Sequence, residues 1–86
     1  MSVLDHSLTL IGRSGCHLCD DARAVVESVL TELSEMPGTR LLTEIDIDTE
    51  PEARRIYADQ IPVLLVDGKV HNFWRIDRDR LISALA

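Results

Sequence analysis

The sequence predicts an α/β fold in which a four-stranded mixed sheet carries helices on both faces, with elements in the order β-α-β-α-β-β-α. Three observations lead there. Stretches whose apolar residues recur at every second position alternate with stretches where they recur at steps of three and four, the periods of strand and helix. A strand-helix-strand unit opens the chain and implies a parallel pair joined by a right-handed crossover. An Asp67-Gly68 dipeptide between two apolar runs marks a tight hairpin, which adds two antiparallel strands.

The first strand is read over Ser7 to Arg13, where Leu8, Leu10 and Ile11 precede a loop rich in Gly and Ser. From Leu18 the apolar residues Ala22, Val25, Val26, Val29, Leu30, Leu33 and Met36 form one helical stripe, which Pro37-Gly38 is expected to stop. Arg40 to Asp48 alternates, with Leu41, Thr43, Ile45 and Ile47 on one face, as in a half-buried strand near a sheet edge. Thr49-Glu50-Pro51-Glu52 resembles a capping box with proline in the first turn, opening a helix of about three turns whose Ala53, Ile56 and Tyr57 face inward. Val63 to Val66 is apolar on both faces, the pattern of a central strand, and Val70 to Trp74 is its hairpin partner. Asp77 is expected to cap a last helix that buries Leu81, Ile82 and Leu85.

Composition narrows the function. The 86 residues show no linker, repeat or low-complexity segment, so one domain spanning 1–86 is expected. Nine basic against fifteen acidic residues leave a net charge of -6, which repels phosphate backbones and anionic lipid, so neither nucleic acid nor a membrane surface is an expected partner. No apolar run approaches the ~20 residues of a membrane span, and Met1 to Gly12 lacks the pattern of a secretory signal, so the cytoplasm is the expected location and a monomer the expected state.

Only two cysteines occur, three apart, at Cys16 and Cys19. A structural disulfide closing so short a loop would stabilise by about 2 kcal/mol, against about 3 for a fifteen-residue loop, and the cytosol tends to reduce it. A zinc site lacks a second cysteine pair, and His6, His17 and His71 have no partner spacing. Passive packing of two thiols suits Cys19, which adjoins the apolar stripe, better than Cys16 at a loop end. Dithiol-disulfide chemistry uses every local feature: a helix N-terminus stabilises a thiolate at Cys16, and positions i and i+3 of a first turn can close a disulfide. Cys16 would attack and Cys19 resolve. Asp20 and Asp21 should oppose thiolate formation while Arg13 and a protonated His17 favour it, which points to a moderately acidic thiol. His17 itself reads as a tuner of the thiolate or an exposed helix residue rather than a base, and no acid stands out beside Cys19 to accept its proton.

With this pair after a first strand, and with Ser14-Gly15-Cys16-His17-Leu18-Cys19-Asp20, Asp46-Ile47-Asp48, Ile61-Pro62-Val63-Leu64 and a downstream Trp74, the chain resembles a thioredoxin-fold protein of the glutaredoxin type, and more narrowly the small glutaredoxin-like domains of bacteria. The resemblance covers nearly the whole chain. It implies a thiol-disulfide oxidoreductase, a cis peptide bond before Pro62 lying against the disulfide, an Ile61 backbone that pairs with a bound substrate strand, and an Arg13 that flanks the thiolate and meets a glutathione carboxylate. Leu18 and His17 between the cysteines, and Trp74 at the rim, complete the expected substrate-binding set. Two departures bear on the substrate: Gln60-Ile61-Pro62 stands where glutaredoxins have Thr-Val-Pro, and Phe73-Trp74-Arg75-Ile76-Asp77 stands where they have a paired glycine and an acid. Glutathione is therefore expected only as a co-substrate to be tested beside protein disulfides, with glutathione or a thioredoxin-reductase-type enzyme as electron donor and no bound cofactor. Two readings of another class stay open: a metal or iron–sulfur module using the Cys16 and Cys19 thiolates, and a non-catalytic interaction domain.

Overall fold

The computed structural model describes residues 4–86, so the first three residues of the expected 1–86 domain lie outside the described part. Its elements are β1 (His6–Gly12), α1 (His17–Glu32), β2 (Arg40–Asp46), α2 (Pro51–Tyr57), β3 (Val63–Val66), β4 (Lys69–Phe73) and α3 (Arg78–Leu85), in the expected order. They form one four-stranded sheet in the order β2-β1-β3-β4. The β1–β2 pair is parallel, while β1–β3 and β3–β4 are antiparallel, so the sheet is mixed. At the hairpin, Asp67 and Gly68 take φ of 53° and 83°, the two left-handed positions a tight two-residue turn demands. Asp67 tolerates that conformation while its carboxylate accepts the Ser7 N–H and the His6 Nδ1 contact, tying the turn to β1.

Burial explains the layers. Leu8, Leu10 and Leu64 on one sheet face pack against Ala22, Val26 and Val29 of α1 and Leu81 and Leu85 of α3. Each such side chain contributes roughly 1.5–3 kcal/mol when fully removed from water. The other face gathers Ile11, Ile47 and Val63 beneath Ala53 and Tyr57 of α2. Helices thus cover both faces, unequally. Because α2 is only seven residues long, it covers one end of its face; Leu41, on the expected inward side of β2, is 69% exposed, and Ile56 also points to solvent.

Besides α2, which has about two turns where about three are expected, and the exposed Leu41 and Ile56, two further local expectations are corrected. The stripe through Met36 does not stay helical: α1 ends at Glu32, and Ser34 and Met36 donate to the carbonyls three residues back. An arginine from β2 replaces the missing turn, Arg40 donating to the carbonyls of Leu33 and Pro37 and, across the core edge, to that of Leu85 at the end of α3. Nor does the capping box form. The N-cap of α2 is Glu50 without a side-chain bond, Pro51 opens the helix, and the Thr49 hydroxyl is turned back to the Asp46 carbonyl. The α3 cap is as expected, Asp77 accepting the Arg80 N–H at 3.1 Å.

Candidate functional site

β1 and β3 run antiparallel with Ile11 opposite Val63, so the end of β1 and the start of β3 lie at the same end of the sheet. The loop that leads into the cysteines and the segment before Pro62 therefore lie at that end. The chain leaves β1 at Gly12, turns through Arg13, Ser14 and Gly15, and enters α1 at Cys16, which is the N-cap residue with extended backbone angles (φ −96°, ψ 116°). The Cys16 sulfur accepts the Cys19 N–H at 3.2 Å, and the Cys16 carbonyl accepts the Asp20 N–H, so a thiol performs the capping usually done by a hydroxyl or carboxylate. Both thiols are free, Cys16 partly exposed and Cys19 buried. The two residues of the pair thus differ in their access to solvent.

Cys19 owes its position to Gly12. A Cβ on Gly12 would stand 2.9 Å from the Cys19 sulfur, so only a residue without a side chain lets the first turn of α1 close on β1. Burial, with the hydrogen bond to Cys16 next, pushes the Cys19 thiol up to about 11; the Arg13 main-chain N–H opposes this, and the charges of Cys16 and Asp20 add to it. Several charges beside the site are paired. Arg23 of α1 holds Asp20 at 3.0 Å and Glu44 of β2 at 2.6 Å. Arg13 lies 3.3 Å from Asp48, which Arg54 of α2 approaches at 2.8 Å, so the arginine that resemblance puts beside the thiolate also answers to a carboxylate.

The remaining expected residues fall around this centre. Pro62 is buried, follows a cis peptide bond, and precedes β3 beside the end of β1. Ile61 is half-buried against the second core cluster. His17 and Leu18 occupy the first turn of α1 and are exposed. Trp74 follows β4 with a left-handed φ of 66°, its N–H bonded to the Pro62 carbonyl at 2.7 Å and its ring edge-on to Phe73. Its exposed side chain borders a shallow cavity of about 90 Å³ shared with Leu18, Asp21, Ala22 and Val25 of α1, so it faces the helix that carries the cysteines. A larger cleft of about 250 Å³ opens on the β2 side, between Cys19, Gly12, Ser14, Arg23, Glu44 and Asp46. Gly12 and Asp46 stand outside the site set expected from sequence, although Asp46 opens the Asp46-Ile47-Asp48 stretch that carries the family resemblance; the parallel register sets the two opposite each other. His6 sits at the far end of β1, paired with Asp67, and burial holds the half-buried His71 below the usual imidazole range, with Arg80 adding to it and Asp77 opposing.

Among the described residues no group of three or more His, Cys, Asp and Glu side chains converges as a metal-binding set. No helix among them is long and apolar enough to cross a membrane. A family profile described as a glutaredoxin-like domain (DUF836) matches residues 7–86. An uncharacterized protein of Mycobacterium tuberculosis is 35% identical over 82 residues, covering 90% of this chain and 79% of its own length. Among solved structures, a protein from X. campestris superposes with a TM-score of 0.56 at 26% identity, over 88% of this chain and 91% of its own. Chloroplastic thioredoxin z superposes with a TM-score of 0.71 at 13% identity, over 94% and 75%, a likeness of fold alone.

Proposed function

This chain belongs to the glutaredoxin-like domain family and has the thioredoxin-type fold, and from that premise we propose that it is a thiol-disulfide oxidoreductase working by dithiol-disulfide exchange. The Cys16 thiolate attacks a substrate disulfide, one substrate thiol leaves, and a mixed disulfide remains on Cys16. Cys19 then attacks the Cys16 sulfur, releasing the second substrate thiol and leaving the Cys16–Cys19 disulfide. One observation carries this reading: an accessible cysteine at a helix N-cap accepts a hydrogen bond from the backbone of a second, buried cysteine one turn on. That geometry gives the two sulfurs different tasks, because only the exposed one can meet a substrate first.

Substrate recognition is assigned to the rim. Ile61 and Pro62 offer backbone to an extended substrate segment, Leu18 and Trp74 supply apolar surface on the other side of Cys16, and Arg13 and His17 supply positive charge. Protein disulfides and glutathione mixed disulfides are both substrates under this reading, with electrons from glutathione or a thioredoxin-reductase-type enzyme, in the cytoplasm, as a monomer and without a bound cofactor. The test is a trap. Cys19→Ser should accumulate a stable mixed disulfide with a disulfide substrate, seen as one added substrate thiol by mass spectrometry, and Cys16→Ser should accumulate none. Equal behaviour of the two variants would sink the assignment, and stoichiometric metal lost on Cys19→Ser would move the protein to the metal-binding class. Reduction of the oxidised protein by glutathione, compared with reduction by a flavin reductase and NADPH, identifies the donor.

A further inference from the structure

The exchange described above, on which this inference rests, leaves one atom without a destination: the proton of Cys19. A buried thiol held protonated at neutral pH cannot attack until a base takes that proton. Among the described residues no polar or charged side chain is fully buried next to it. The base must therefore lie along a wet route.

We propose that Asp46, at the end of β2, accepts the Cys19 proton through water in the cleft between α1 and β2. Three observations converge on it. First, the position where a Gly12 side chain would begin is occupied by the Cys19 sulfur, 2.9 Å away. Gly12 is also the register partner of Asp46 in the parallel β1–β2 pair. Residues opposite one another on adjacent strands project to the same face about 4.8 Å apart, so Asp46 projects to the face on which the Cys19 sulfur rests. Second, Cys19 and Asp46 both line the cleft, whose 250 Å³ gives room for several waters. Third, the surrounding charges single out Asp46. Glu44, the other carboxylate lining the cleft, is bound to Arg23 of α1, which also holds Asp20. Asp48, beyond the end of β2, is shared by Arg13 of the loop and Arg54 of α2. Asp46 forms no ion pair among the described residues; it accepts the Ser14 hydroxyl at 3.3 Å and the Asp48 N–H at 2.8 Å. Among the described residues no guanidinium covers the Asp46 oxygens, which leaves them the carboxylate oxygens of the cleft that are free of an arginine, and the Ser14 bond ties Asp46 to the loop that carries Cys16.

The step balances. Cys19 gives its proton by way of water to the Asp46 carboxylate, and the Cys19 sulfur forms a bond to the Cys16 sulfur. The bond from Cys16 to the substrate sulfur breaks, and its electron pair leaves with the substrate thiolate, which is protonated from solvent. Asp46 later returns its proton to solvent. The dithiol is oxidised and the substrate disulfide reduced.

Reaction of the reduced protein with 5,5′-dithiobis(2-nitrobenzoate) under stopped flow separates the steps. The first thionitrobenzoate released reports attack by Cys16, and the second reports resolution by Cys19. In the unaltered protein the second phase should be nearly flat across neutral pH; a rise of about tenfold per pH unit, as hydroxide-driven deprotonation gives, would overturn the proposal without any variant. Asp46→Asn keeps the shape and one acceptor oxygen, enough for the Asp48 N–H, while the other position becomes an NH2 that can donate to the Ser14 hydroxyl, and it removes the base. It should slow the second phase relative to the first by roughly tenfold to a hundredfold at pH 7, with the gap closing at alkaline pH, and Asp46→Glu should recover part of the loss. An unchanged ratio and pH profile in Asp46→Asn, or a loss that follows Glu44→Gln instead, would overturn it. If the first phase itself were missing, the reading of Cys16 as nucleophile would fall, a distinct result.

Discussion

At Cys16 and Cys19 one chemical group has two environments, and the difference comes from single neighbours. Cys16 is partly exposed at a helix start and its sulfur accepts a backbone N–H, whereas the Cys19 sulfur rests on the bare Cα of Gly12. Gly12→Ala places a methyl group 2.9 Å from that sulfur, closer than atoms normally approach, and the helix must shift to admit it. Overpacking of this kind costs about 1–3 kcal/mol, so urea unfolding of the reduced protein should show a loss of that size, and the second, resolving phase of disulfide exchange should slow. Cys16 was legible from sequence because N-cap placement is a local property of a Gly-containing loop followed by an amphipathic stripe. The dependence of Cys19 on Gly12 was not, since it arises from the angle at which a helix returns over its strand.

Among the elements, helix ends show how distant chain supplies what local sequence lacks. Pro37-Gly38 signals a stop, yet the last turn of α1 is given up earlier, and the carbonyls left open at Leu33 and Leu85 are met by one guanidinium, that of Arg40. Arg40→Ala should remove bonds that join the ends of α1 and α3 at the start of β2. A loss of about 1–3 kcal/mol is expected in chemical denaturation, larger than the ~1 kcal/mol expected for Asp77→Ala at the exposed α3 cap. A smaller effect for Arg40→Ala than for Asp77→Ala would show that water serves those carbonyls equally well. The Asp77 cap was readable in advance because donor and acceptor lie three residues apart. The Thr49 cap fails for the complementary reason: its hydroxyl donates to the Asp46 carbonyl, which the turn after β2 brings around, and the helix opens one residue later with Glu50 as its N-cap.

For the molecule as a whole, the burial of Cys19 couples redox state to stability. A thiol whose folded value is raised above its ordinary value near 9.0 to about 11 contributes stability that is fully present below pH 9 and is lost as pH climbs toward 11. The reduced protein should therefore lose on the order of 2 kcal/mol over that window beyond any loss shown by the disulfide form, in which Cys19 has no proton to release. Parallel pH profiles of the two forms in urea titrations would contradict it. Much of this chain could be read before any coordinates. Apolar period, the Asp67-Gly68 turn and the spacing of two cysteines are local patterns, and they were enough to determine the order of elements, the mixed sheet and the position of Cys16 at a helix start. What tertiary structure alone decided is which residues from separate strands meet: Gly12 beneath Cys19, Asp46 opposite Gly12, Arg40 between two helix ends, and Trp74 across from Leu18. Those meetings depend on register and on how helices of unequal length cover a sheet, and neither is written in the periodicity of any one segment.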